Sequence, residues 1–93
     1  MTSTKGQEMP MYKTKAPDGK LNISGKKISQ LRMKMKPKCS QRKLADILQL
    51  QGLEFSKNTV QCIESGKRFV TDIELKAIAE VLGVTVDELL SDE

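Results

Sequence analysis

An all-α fold of five short helices is predicted by three features of the 93-residue chain. Apolar residues from Ile28 onward recur at spacings of three and four, the period of a helix with one buried face. Ser or Thr stands before these stripes and Gly after them, the chemistry of helix starts and stops. No stretch alternates apolar with polar residues as a half-buried strand would. With Tyr12, Phe55 and Phe69 the only aromatics, the core must be built from Leu, Ile, Val, Met and Ala. A chain this short has room for one compact domain with a modest core.

Residues 1–22 read as a flexible basic N-terminal tail: Lys, Thr, Gly and Pro are frequent, the few apolar residues have no period, and Ala16-Pro17-Asp18-Gly19 is a turn signal. The domain is expected over 23–93. Ser24 is placed to cap helix 1, about 25–35, with Ile28, Leu31 and Met35 facing inward and Lys36-Pro37-Lys38 ending it. Ser40 caps helix 2, about 41–51, whose stripe is Leu44, Ala45, Ile47, Leu48 and Leu50, with Gly52 as its stop. Ser56 opens helix 3, about 57–65, with Val60 and Ile63 inward and Gly66 ending it. Thr71 and Glu74 form a capping box before Ile73, Leu75, Ile78, Ala79 and Leu82, and Gly83 stops that helix. Thr85 and Glu88 repeat the device for a last short helix with Val86, Leu89 and Leu90.

Charge is unevenly distributed along the chain. Residues 1–68 hold 15 Lys and Arg against 5 Asp and Glu, whereas residues 69–93 hold Lys76 alone against 7 acids. A basic body with an acidic end points to a polyanionic partner on one face. Catalysis is not expected: there is no His, no metal-ligand cluster and no glycine-rich phosphate loop, and Cys62 has no base beside it. Cys39 and Cys62 read as reduced thiols, and no cofactor or metal is implied. No apolar run is long enough for a membrane span or a signal peptide, so a cytoplasmic protein is the expectation.

The ordered pieces SQRKLADILQ, SKNTVQCIESGKR and TDIELKAIAEVLGVTVDELL resemble the lambda-repressor-like helix-turn-helix family, the Cro- or XRE-type regulators. The resemblance covers about residues 24–90. It implies a five-helix DNA-binding domain acting on double-stranded DNA as a transcriptional regulator of the repressor type, with helix 3 in the major groove. Two departures stand out. The interval from Ala45 to Ser56 is longer than the family's usual spacing, and so is that from Arg32 to Gln41. The first lengthens helix 2 and widens the turn at Gly52-Leu53-Glu54-Phe55, with Leu53 and Phe55 expected to fold back over the bundle.

A recognition helix needs one face pinned to the bundle and the other free to enter the groove. Val60 and Ile63 supply the pinned face, leaving Lys57, Asn58, Gln61 and Cys62 on the rest. Asn58 can pair bidentately with an adenine edge, and Lys57 can donate to guanine acceptors or a phosphate. The resemblance adds Thr59, so the expected base contacts are Lys57, Asn58, Thr59, Gln61 and Cys62. It also implies that Gln41 bonds a phosphate and braces the recognition helix. Ser40, at the donor-rich N-terminus of helix 2, joins it, with Arg42, Lys43, Lys67 and Arg68 as further phosphate contacts. The resemblance makes Glu64 structural, paired with a basic residue of helix 1, Arg32 or Lys34, of which Arg32 is taken.

The rival reading is an antitoxin-like or anti-regulator module of the same fold, meeting a protein partner at the acidic C-terminal helices. The positive charge around helices 2 and 3 favours DNA. The family implies two-fold dimers on inverted half-sites. Contacts are available only from helix 5, the widened turn or the tail, so self-association in solution should be weak. Lys5, Lys13, Lys15 and Lys20 could form an arm along the DNA, although a merely soluble extension is the preferred reading. No effector pocket is visible.

Overall fold

The computed structural model describes residues 18–91. The arm residues Lys5, Lys13 and Lys15, the Ala16-Pro17 half of the turn signal, and residues 92–93 lie outside the described residues. Five helices follow one another: α1 (Gly25–Lys34), α2 (Gln41–Leu50), α3 (Lys57–Glu64), α4 (Asp72–Leu82) and α5 (Val86–Leu90). No strand occurs among the described residues. α2 packs most closely on α3, α1 lies across α3 and α4, and α5 closes the bundle against α4.

Each helix after α1 begins at a side-chain cap. Ser40 Oγ accepts from the Lys43 amide at 3.0 Å. Ser56 and Thr59 form a reciprocal box, as do Thr71 with Glu74 and Thr85 with Glu88. Each box satisfies two amides that a helix start would otherwise leave unpaired. α4 ends on Gly83, in the left-handed region at φ 74, a conformation glycine adopts without steric cost.

The start of α1 departs from expectation. Ser24 has helical backbone angles and makes no side-chain cap; its hydroxyl is buried without a hydrogen-bond partner. Asn22 does the capping instead, its Oδ1 accepting from the Gly25 amide at 2.8 Å. Its Nδ2 also donates to the carbonyls of Ile63 at 3.0 Å and Arg68 at 2.8 Å. The Leu21 amide donates to the Gly66 carbonyl at 2.9 Å. Leu21 and Asn22, read with the tail, are therefore built into the domain, tying the segment before α1 to the far end of α3.

The core is aliphatic: Ile28 from α1, Leu44, Ala45 and Leu48 from α2, Val60 and Ile63 from α3, Leu75, Ile78 and Ala79 from α4, and Leu89 from α5. Phe55 is buried with them, and Leu53 packs against the cluster from the α2–α3 turn. Gln49 Nε2 donates to the Phe55 carbonyl and ties that turn back to α2. The most exposed residues of the expected stripes are Leu50, 89% exposed, and Ile73, 69% exposed. Each lies two positions from a buried neighbour, Leu48 or Leu75, and two residues turn a helix by roughly 200°. Leu50 and Ile73 thus sit opposite the buried face.

Candidate nucleic-acid interface

α3 has eight residues and two unlike sides. Val60 and Ile63 are buried, while Lys57, Asn58 and Gln61 are exposed and Cys62 is half-buried. At about 100° per residue, Lys57, Gln61, Ser65, Asn58 and Cys62 fall in that order around one continuous arc. Thr59 lies on the other side of that arc. Its Oγ1 accepts from the Ser56 amide at 3.3 Å and contacts Ser56 Oγ at 3.1 Å, so the hydroxyl is committed to starting the helix. Ser65, exposed just past the last turn, shares the outward face and is absent from the expected base contacts, which stop at Cys62.

A buried polar network fixes how α3 sits. Arg32 and Glu64 meet in a two-pronged ion pair, Nε to Oε2 at 2.7 Å and an amine nitrogen to Oε1 at 3.0 Å. Both side chains are nearly enclosed, 8% and 7% exposed. A further Arg32 nitrogen donates to the Cys39 carbonyl at 2.9 Å, and Gln41 Nε2 donates to Glu64 Oε1 at 2.9 Å. The Glu64 carboxylate thus joins α1 and α2 to the end of α3, and Arg32 extends the network to the α1–α2 loop. The hydrogen bond to Glu64 outweighs desolvation and raises the Arg32 pKa further, so the guanidinium stays charged despite its burial. Burial pushes the Cys39 thiol up, which keeps it protonated and unreactive.

The same crossing requires glycine at position 25. A Cβ there would lie 2.2 Å from the Ile63 carbonyl oxygen and 2.9 Å from that of Glu64. The first turn of α1 rests directly on the last turn of α3.

The remaining basic residues divide into free and committed ones. Arg42 and Lys43 are exposed on the first turn of α2, beside the Ser40 cap, and Lys67 is exposed after α3. Lys38, Ser40, Gln41, Arg42 and Lys57 border one depression between the α1–α2 loop and the start of α3. Arg42 is only loosely held, 4.0 Å from Asp46 with both side chains in solvent. Arg68 differs. It grips Glu74 with two bonds of 3.0 Å, donates to the Phe69 carbonyl, and stands 5.8 Å over the Phe55 ring. Arg68, expected at a phosphate, also joins the α3–α4 loop to α4. Its hydrogen bonds to Glu74, helped by Thr71, hold that carboxyl below the usual carboxylate range.

Exposed acids beside this surface are Asp46 on α2 and Glu54 in the α2–α3 turn, and the others are concentrated at the far end of the bundle. Asp72, Glu80, Asp87 and Glu88 are exposed on α4 and α5. No group of three His, Cys, Asp or Glu placed to hold a metal occurs among the described residues. No helix among them is long and apolar enough to cross a membrane. A family model described as helix-turn-helix matches residues 28–89, from within α1 to within α5. The chain matches no curated protein and no solved structure.

Proposed function

Because the chain belongs to the lambda-repressor-like (Cro/C1, XRE-type) helix-turn-helix family of DNA-binding transcriptional regulators, we propose that it reads one DNA sequence with α3 in the major groove and acts there as a repressor. The observation that carries this reading is the outward arc of α3. Lys57, Asn58 and Gln61 are exposed side by side on a helix whose opposite side is pinned by Val60, Ile63 and the Arg32–Glu64–Gln41 network. A rigid element presenting two carboxamides and an ammonium matches the donor and acceptor pattern of major-groove base edges. Cys62 and Ser65 flank that set. Thr59 contributes to it mainly by fixing the helix start.

Phosphates on either side of the groove meet the N-terminus of α2, Arg42, Lys43 and Lys67. Gln41 spends one amide hydrogen on Glu64 and keeps the second for a phosphate oxygen. A contact there would also tie the DNA backbone to the carboxylate that orients α3. Two copies on inverted half-sites, about 34 Å apart from centre to centre, would place one α3 in each of two successive major grooves. Repression needs only that this occupancy exclude the transcription machinery from the same stretch.

Enrichment from random duplex DNA at two salt concentrations tests the reading. One inverted sequence should be selected, and Asn58→Ala should relax a single position at a cost of about 1–3 kcal/mol. Lys67→Ala should weaken binding to all sequences alike and reduce the salt slope by about 1. A reporter with the selected site across its promoter should fall in output when the protein is present. Weak, steeply salt-dependent binding that ignores Asn58 would overturn specific readout.

A further inference from the structure

A shallow polar depression runs between α2 and α3. Its α3 side is formed by Lys57, Asn58 and Gln61, and its α2 side includes Arg42, Asp46 and Gln49. The second helix of the pair thus places a carboxylate and a carboxamide on the same concave surface as the residues assigned to base reading. Asp46 is solvent-exposed, and its one ion pair, to Arg42 at 4.0 Å, is weak. Gln49 is held by the hydrogen bond its Nε2 donates to the Phe55 carbonyl, which leaves its side-chain oxygen available as an acceptor.

We propose that α2 shares in reading the sequence, with Asp46 accepting a hydrogen bond from the exocyclic amine of a base at the edge of the α3 footprint. This rests on the DNA-binding reading above. The chemistry is restrictive. A carboxylate at a polyanion surface is repelled by every phosphate, and the groups that offset this in the major groove are amines, cytosine N4 and adenine N6. Asp46 therefore selects for an amine-bearing base, cytosine first, and against guanine or thymine, which present only acceptor oxygens at the corresponding position.

Enrichment with the wild-type chain, Asp46→Ala, Asp46→Asn and Asn58→Ala in parallel tests this, with circular dichroism to show that each variant keeps its helices. Asp46→Ala should lose about tenfold discrimination at one base pair, a position different from the one relaxed by Asn58→Ala. Asp46→Asn should move the preference at that pair from cytosine toward adenine, since a carboxamide pairs with adenine N6 and N7. A wild-type preference for adenine at that position, weakened in Asp46→Ala, would equally support the amine contact. A uniform gain in affinity for all sequences in Asp46→Ala would overturn the proposal, because the carboxylate would then be only repulsive. An unchanged profile in both Asp46 variants would overturn it too, while selection lost in Asn58→Ala would leave the α3 reading standing. If the wild-type chain selects no sequence, both readings fail together.

Discussion

Glu64→Ala should be among the most damaging single changes outside the apolar core. It removes the acceptor of both Arg32 prongs and of the Gln41 amide. The guanidinium, in a residue only 7% exposed, is then left with the Cys39 carbonyl at 2.9 Å and a long contact to Met33 sulfur. Removing one partner of a buried ion pair costs about 3–5 kcal/mol. A domain of this size has roughly 4–11 kcal/mol of stability at 0.05–0.15 kcal/mol per residue. The variant should therefore lose between about a quarter and all of its margin. Urea unfolding followed by circular dichroism measures it: with a slope of about 1 kcal/mol per molar, the midpoint should fall by about 3 M or more. Arg32→Met combined with Glu64→Leu should recover most of the loss, because both charges leave the interior together and the half-buried Gln41 amide can turn to water. A Glu64→Ala cost below about 1 kcal/mol, the range of an exposed pair, would refute the reasoning. It would mean that solvent reaches Arg32 and that the network does not hold α3.

Three further outcomes follow from the same crossing and its neighbours. Gly25→Ala should destabilise by several kcal/mol, on the order of a severe overpacking change, because the Cβ would meet backbone oxygen rather than a side chain that can turn away; thermal unfolding should show it, and a change within about 0.5 kcal/mol would contradict the close approach. Asn22→Ala should cost about 2 kcal/mol or more by leaving the Gly25 amide and two carbonyls without their partner, whereas Ser24→Ala should be neutral or stabilising, since its buried hydroxyl bonds nothing; the two melting temperatures should move in clearly different ways. Glu74 has its pKa lowered in the folded state, chiefly by Arg68, so its contribution is present above the unfolded carboxyl pKa and is lost as pH falls through the folded value. Stability measured from pH 6 downward should thus fall less steeply in Glu74→Gln than in the parent chain.

What was legible in the sequence was local. The Thr71–Glu74 and Thr85–Glu88 boxes could be read because donor and acceptor stand three residues apart, and the Gly83 stop because left-handed backbone has a residue preference. The polar side of α3 was legible from Val60 and Ile63, since two buried positions set the phase of a short helix. The same phase argument, applied strictly, excludes Leu50 and Ile73 from the core; hydrophobic character alone placed them wrongly. The Ser56–Thr59 box was missed because Thr is not the usual partner three residues after a cap.

What was not legible lies in contacts across the chain. Asn22 bonds carbonyls 41 and 46 residues away, and nothing near it in sequence marks it as anything but a tail residue. Gly25 is needed only because the end of α3 lies against it. Arg68 counts as one more positive charge until Glu74 is seen to hold it. These residues share one consequence: each fixes α3 or its flanking loop without touching the outward arc. Asn22 and Gly25 set where α3 ends, the Arg32–Glu64–Gln41 network sets its tilt against α1 and α2, and Arg68 anchors the loop that follows. Side chains at fixed positions on a helix can read base edges only if the helix axis is itself fixed to a fraction of an ångström, because hydrogen-bond geometry to a base tolerates little more. The residues proposed to read bases lie at a few positions of α3 and at Asp46 of α2, whereas their register on DNA would depend on residues scattered from Asn22 to Glu74. Substitutions in the second group should alter specificity and stability together, and those in the first should alter specificity alone.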